Sequence, residues 1–461
     1  MSNAKSRTGD AMEAVRARIA SRSLVRGDKL PSIRGLAETL KVSPSTVVEA
    51  YDRLAAEGIV VSRPGSGFYV SGAATPAVNT LTPRVDRAID PLWVSRQSLD
   101  AAPEALKPGC GWLPADWMPN TILRRAMRGL ARADDAVLAD YGNSSGLLAL
   151  RQLLARRCAA DGLVVGLNQL LLTASGTQAI DLICRFLLKP GDAVLVDDPC
   201  YFNFQALLRA HQVRIVSAPY TPTGPDTVRF AEVLSEARPR LYITNSAIHN
   251  PTGATMSAQT AHKLLTIASA HGLVIVEDDI FAEFEPEPSP RLAAFDGLVN
   301  VIRIGSFSKT LSASVRCGYI AARPDWIEAM VDLQVATNFG GASPVAARLI
   351  FDSLMDSGYR RHVEALRRRL SGARRGAATK LADLGVRTWV TPRGGFYLWG
   401  QLPDGKDASA VARTALAEDV ILAPGDVFSA AQTASDFMRF NVGQMQDPRV
   451  FKVLKDALGS T

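Results

Sequence analysis

Short apolar runs, each ending abruptly on polar residues, recur through residues 170–306 and limit the folds open to this chain. They are Leu170-Leu-Leu before Thr173, Ala193-Val-Leu-Val before Asp197, Leu241-Tyr-Ile before Thr244, Gly272-Leu-Val-Ile-Val before Glu277, and Val301-Ile-Arg-Ile-Gly before Ser306. Runs so short and so apolar are strands buried on both faces, which is how the strands of a covered parallel sheet read. Helical patterns between them supply the crossovers. The expected fold class is therefore α/β with a mostly parallel sheet, whose ligands lie beyond the carboxyl ends of the strands. Asp278 ends one run, and Ser306, Ser308 and Lys309 follow another, so a carboxylate and a lysine are expected in one crevice.

A chain of 461 residues is long for one compact unit, so two domains are expected. No apolar run approaches the roughly 20 residues that span a bilayer, and the opening MSNAKSRTGD lacks the apolar core of a signal peptide. The five cysteines show neither metal spacing nor a disulfide framework. These features predict a cytoplasmic protein with reduced thiols, no metal and no membrane partner. Of the net charge of +7, the first seventy residues carry +4, from eleven basic and seven acidic residues. A basic bias concentrated in a small terminal segment favours a nucleic-acid partner.

That segment reads as three helices and a hairpin. Met12, Val15 and Ile19 recur at helical spacing. Ser32 caps a second helix with the stripe Ile33, Leu36, Ala37 and Leu40. Ser43-Pro44 opens a third, in which Val47, Tyr51 and Leu54 face inward and Ser45, Thr46 and Glu49 face outward. The tight turn between the last two helices describes a helix-turn-helix. IVVSRPGSGFYV then forms a hairpin, a wing whose tip offers Arg63 and backbone amides to phosphates; a small helical cap on an enzyme is the alternative. The order of elements in LPSIRGLAETLKVSPSTVVEAYDRLAAEGIVVSRPGSGFYV resembles the winged helix-turn-helix of GntR-type bacterial transcription factors. The resemblance implies operator DNA contacts near Arg34, Ser45, Thr46, Arg63 and Gly65. Domain boundaries are expected at 10–72 for this domain, 73–105 for a linker docked through Leu92 and Trp93, and 106–461 for the large domain.

In the large domain, Ser175-Gly176-Thr177 joins a strand to an apolar helix. Such a turn either binds an anion through free amides and the helix dipole or is a plain structural turn. Tyr201 beyond a strand end stacks on an aromatic ligand or packs in a loop. Asn250 can offer an amide to a phenolic oxygen. His249 reads as a loop histidine, since no second histidine has metal spacing. The segments TASGTQ, DDPCYF, HNPTG, EDDIFAEF and SFSKTLSASVRCGY, in this order, resemble fold-type I aminotransferases from about Lys107 onward. A GntR-type domain ahead of such a domain resembles the MocR subfamily of transcriptional regulators.

The resemblance implies a small C-terminal α/β subdomain and pyridoxal 5′-phosphate (PLP) as cofactor. It implies that Lys309 binds PLP covalently, Asp278 pairs with the pyridine nitrogen, Asn250 bonds the ring oxygen and Tyr201 covers the ring face. Asp279 is the lesser candidate of the acidic pair. Ser175, Gly176, Thr177, Ser306, Ser308 and Arg316 would hold the phosphate, joined by Tyr141 from the partner subunit of a homodimer. Arg439 would hold the carboxylate of an amino-acid or amine effector, and Arg393–Trp399 would be structural. Many relatives carry a tyrosine where this chain has Phe281, so transaminase activity is expected to be weak or absent. Three functions follow: a regulator that senses an amine or PLP, an aminotransferase with an accessory DNA-binding domain, and a DNA-binding protein with a cofactor-free large domain.

Overall fold

The computed structural model describes residues 7–21, 23–71 and 89–460. The chain divides into two compact units, Met1–Thr82 and Pro83–Thr461. The first 16 residues of the expected linker, 73–88, lie outside the described residues.

The smaller unit contains helices α1 (Arg7–Ala20), α2 (Ile33–Leu40) and α3 (Pro44–Ala56), then strands β1 (Val60–Arg63) and β2 (Gly67–Val70). The Ser32 side chain accepts from the Gly35 amide and Ser43 from the Thr46 amide, satisfying amides at the starts of α2 and α3. Leu36, Ala37, Val47, Tyr51 and Leu54 close a core with Val15, and the Tyr51 hydroxyl donates to Pro31 O at 2.8 Å, tying α3 to the turn before α2. The hairpin reverses where the Ser66 amide donates to Arg63 O, with Gly65 at φ +74°. This is a winged helix-turn-helix.

The larger unit opens with α4 (Pro91–Asp100), inside the stretch expected to be linker. Asp90 caps it by accepting from the Trp93 amide, and Pro91 occupies its first turn. Trp93 enters the core of the small subdomain, but Leu92 is exposed, so only one of the two residues expected to dock does so.

The main sheet comprises β3 (Leu170–Thr173), β4 (Ala193–Asp198), β5 (Arg214–Thr221), β6 (Gly224–Pro225), β7 (Leu241–Thr244), β8 (Val274–Asp278), β9 (Val301–Ser306) and β10 (Gly318–Ala321). Their spatial order is β3-β10-β9-β8-β7-β4-β5-β6. The run from β5 through β4, β7 and β8 to β9 is parallel, while β10 is antiparallel to both β3 and β9. A second sheet, β11 (Arg387–Thr388), β12 (Tyr397–Gln401), β14 (Phe437–Asn441) and β13 (Ala423–Pro424) in spatial order, is antiparallel and belongs to the C-terminal subdomain. Helices Tyr359–Asp383, Ala408–Leu416 and Pro448–Ser460 contribute to the same core.

Register brings the site together. Gly318 of β10 faces Thr173 on one side and Ser306 on the other, so the ends of β3 and β9 converge on one point. A Cβ at Gly318 would lie 2.7 Å from the Ser175 carbonyl carbon and 2.8 Å from the Gly176 amide nitrogen. Gly318→Ala should therefore lower stability by about 1–3 kcal/mol in denaturant unfolding. Gly372→Ala, on an exposed helix position with nothing within 4 Å, should be neutral or stabilising by up to about 1 kcal/mol.

Candidate functional site

Three consecutive acids, Glu277, Asp278 and Asp279, leave the end of β8, and strand alternation separates them. Asp279 is buried between two cations: Arg303 Nη2 donates to Oδ2 at 2.5 Å and Arg291 Nε lies 2.9 Å from Oδ1. Arg291 also pairs with Glu285, and Arg303 with Asp161. Glu277 accepts from the Leu292 and Ala293 amides at 2.7 and 2.9 Å and from the Ser246 hydroxyl. Asp278 alone of the three turns into a cavity at the strand ends, where its Oδ1 accepts from the Ile280 amide at 3.2 Å.

That cavity is lined by Ser175, Gly176, Thr177, Tyr201, Asn250, Asp278, Ser306, Ser308, Lys309 and Arg316, all singled out from the sequence, together with Asn203 and Phe281. Gly176 and Thr177 are the first residues of helix Gly176–Leu187. Arg316 is exposed and has no ion-pair partner among the described residues. A helix start, three serines and an arginine form a strong anion cradle.

Burial pushes the Lys309 amine down to about 8, with the Arg439 cation adding to the effect. The amine donates to Gly111 O at 2.6 Å. Burial pushes the Asp278 carboxyl up to about 6, opposed by the Ile280 amide. Asn250 is oriented from below: its Oδ1 accepts from Arg439 Nη1 at 2.9 Å, so its amide nitrogen is the end left for a ligand. The donors, carboxylate and lysine suit a phosphate-bearing aromatic aldehyde.

Two predicted site residues lie outside the cavity lining. Arg439 is fully buried on β14, its guanidinium 4.3 Å from the Tyr397 ring centre and 4.7 Å from that of Phe428. Tyr141 is 79% exposed and meets Phe339 edge-on. Tyr397, in the segment expected to be structural, is a residue sequence reasoning missed: its ring lies against the Arg439 guanidinium and meets Phe281 edge-on. Its position beside Phe396 in the Gly-Gly-Phe-Tyr run was the available signal. His249 lies in the loop after β7, as expected, but is enclosed there. It is 1% exposed, stacked on Tyr220 at 3.7 Å and 3.3 Å from buried Asp197. Phe281 packs against Phe284, Phe396 and Tyr397.

In the smaller unit, Arg34, Ser45, Arg63 and Gly65 are exposed. Thr46 is half-buried with its hydroxyl 2.8 Å from Ser43 Oγ, and Arg63 lies over the Tyr69 ring at 4.4 Å. Among the described residues there is no group of three His, Cys, Asp or Glu placed to hold a metal, and no helix long and apolar enough to cross a membrane.

The model of the aminotransferase class I and II family matches residues 114–455, and that of the bacterial regulatory proteins of the gntR family matches residues 8–70. The chain belongs to the aminotransferase class I and II family, in the MocR arrangement behind a GntR domain. The HTH-type transcriptional regulator YdcR of Escherichia coli is 28% identical over 96% of each chain. NorG of Staphylococcus aureus, another HTH-type transcriptional regulator, is 27% identical over 80% of this chain and 86% of its own. Among solved structures, the α-aminoadipate aminotransferase LysN of Thermus thermophilus, complexed with N-(5′-phosphopyridoxyl)-L-leucine, is 26% identical and covers 82% of this chain and 96% of its own, with a TM-score of 0.72. Kynurenine aminotransferase of Pyrococcus horikoshii has the same fold at 23% identity over 84% of this chain and 98% of its own, with a TM-score of 0.73.

The split between the family's two acidic neighbours is testable by pH. A carboxyl whose pKa is raised on folding destabilises the fold once ionised, so stability falls as pH rises through the folded value. Stripped of any cofactor, Asp278→Asn should be more stable than the parent above about pH 6, by about 1–3 kcal/mol, with the gap closing below about pH 4. Asp279→Asn should instead lose about 3–5 kcal/mol, because it removes the charge shared by two buried arginines and leaves each with a single carboxylate partner.

Proposed function

We propose that this protein is a transcription regulator that binds operator DNA through its N-terminal domain and carries PLP at Lys309, where an amino compound or PLP itself is sensed. The observation that carries the reading is one cavity that collects Lys309, Asp278, Asn250, Arg316 and a helix N-terminus in a chain that opens with a GntR domain. When bound, PLP supplies an aldehyde for amines and a ring that withdraws electrons. Lys309, with its amine pKa lowered to about 8, has more neutral nucleophile at neutral pH than an exposed lysine. Asp278 would pair with the ring nitrogen and, so paired, would be held ionised. Asn250 would donate its Nδ2 to the ring oxygen, since Arg439 holds the other end of the amide. Tyr201 would cover one face of the ring. Ser175, Gly176, Thr177, Ser306, Ser308 and Arg316 would hold the phosphate.

Exposed Tyr141 reaches the phosphate of a second subunit, making the working form a homodimer in the cytoplasm. Arg439 receives the effector carboxylate. Arg34, Ser45, Thr46, Arg63 and Gly65 face DNA, a reading supported by the exposure of Arg34, of Ser45 at the start of α3 and of the wing tip, with Thr46 half-buried beside Ser45. A working aminotransferase is the second reading, favoured by the family's complete lysine, aspartate and arginine set. Phe281 weighs against it, because it leaves the ring oxygen with Asn250 but no phenol.

Purified protein should show a visible absorbance band that borohydride removes, and Lys309→Ala should lack the reducible band while still folding. A parent protein with no reducible band after incubation with PLP would contradict the reading. Arg63→Ala should weaken binding to all DNA sequences and reduce the slope of log affinity against log salt by about one.

A further inference from the structure

Residues 107–113 form a strap whose backbone is tied at both sides. On the small-subdomain side, the Gly109 amide donates to Ile421 O at 2.8 Å and the Asn441 amide donates to Pro108 O at 2.7 Å. Asn441 Nδ2 donates to Cys110 O and Trp112 O at 3.1 and 2.7 Å, and Arg439 Nη2 donates to Gly109 O at 2.7 Å. Gly109 is threaded so closely that a Cβ there would lie 2.5 Å from the Leu422 carbonyl carbon. On the sheet side the tie at Gly111 is Lys309, whose amine donates to Gly111 O at 2.6 Å. These bonds tie the strap to the small subdomain, which has its own ties to the sheet domain, such as Arg439 to Asn250; at Gly111 the strap itself is pinned to the loop after β9 by Lys309.

The pin uses the same nitrogen that takes the cofactor. A lysine ammonium has three N–H donors free to rotate. Condensation with an aldehyde forms a C=N bond and removes two of those hydrogens with the carbonyl oxygen as water. One N–H remains, directed in the plane of the new double bond. Gly111 O then loses a charged donor that turned to meet it. The strap continues from α4, the described helix of the larger unit nearest in sequence to the DNA-binding unit.

We propose that Lys309 is a latch: its hydrogen bond to Gly111 O holds the strap around Gly111 against the sheet, and attachment of PLP to the same amine releases it. Loading with PLP is then itself a conformational signal, ahead of any amine. This rests on the assignment of PLP to Lys309 above.

Cys110, next to Gly111, reports the latch. It is 1% exposed, its thiol is directed to Trp112 O at 3.2 Å, and burial holds its pKa up. Cys184, fully buried in the main-sheet core, serves as the internal control. Full-length protein stripped of cofactor, the same protein reloaded with PLP, and stripped Lys309→Ala would be treated with N-ethylmaleimide, and labelling at each cysteine followed by mass spectrometry.

A hydrogen bond from a charged donor makes the expected change in Cys110 labelling about tenfold or more. Both the PLP-loaded parent and stripped Lys309→Ala should label faster than the stripped parent, with Cys184 unchanged. If stripped Lys309→Ala folds, by its melting curve, and labels at the parent's rate, Lys309 does not hold the strap and the latch is overturned. If PLP loads, by its absorbance, and Cys110 labelling stays at the stripped rate, the latch is overturned while the PLP assignment stands. If no reducible band forms, the PLP assignment fails and the latch with it, as the proposal needs both.

Discussion

The organising constraint is the neutralisation of Asp279. A run of three acids at the end of a buried strand is costly unless each charge finds a partner. Arg291 and Arg303 take Asp279, and helix amides with a serine take Glu277. Because strand residues alternate, fixing those two on one side commits Asp278 to the other, into the cavity with Lys309. Asp278 keeps the Ile280 amide and the neighbouring Asn245 side chain but no ion-pair partner among the described residues, and burial raises its pKa, a carboxylate in want of a cation. The site's chemistry therefore follows from how its neighbours are made safe.

The same logic extends outward. Gly318 lets β10 slot between β3 and β9, and this close approach sets Ser306 beside the start of helix Gly176–Leu187. Arg439 is buried among aromatic rings of the small subdomain, and from there it fixes the Asn250 amide. One buried guanidinium thus connects the subdomain core to the cavity wall. The family's sheet is a scaffold in which anion cradle, carboxylate and lysine arrive from the ends of β3, β8 and β9, with Arg316 just ahead of β10.

Much of this was legible in the sequence because it is local. Apolar runs ending at Asp197, Thr244, Asp278 and Ser306 are strands in the structure, and Ser32, Ser43 and Ser175 are caps. Helix α4 was legible too, in Asp90-Pro91, a cap and a first-turn proline, but the alanine- and proline-rich residues ahead of it obscured the pattern. What local pattern could not give was contact across the chain. Lys309 meets Gly111 across 198 positions and Arg439 meets Gly109 across 330. His249 is the loop residue its neighbours suggest, but its burial was not legible, since it comes from Tyr220 and Asp197, which approach only once β4 and β5 pair. Tyr397 was hidden in a glycine-rich run that packs the subdomain and reaches the site at once.

The central claim is that the Lys309 site governs DNA binding, and a binding titration tests it most directly. Affinity for the DNA upstream of the protein's own gene would be measured at fixed salt for the PLP-loaded parent and for Lys309→Ala, with and without any amino compound that alters the parent's cofactor absorbance. The account predicts that such a compound changes the parent's affinity and leaves Lys309→Ala unmoved. Equal shifts in both proteins would contradict it.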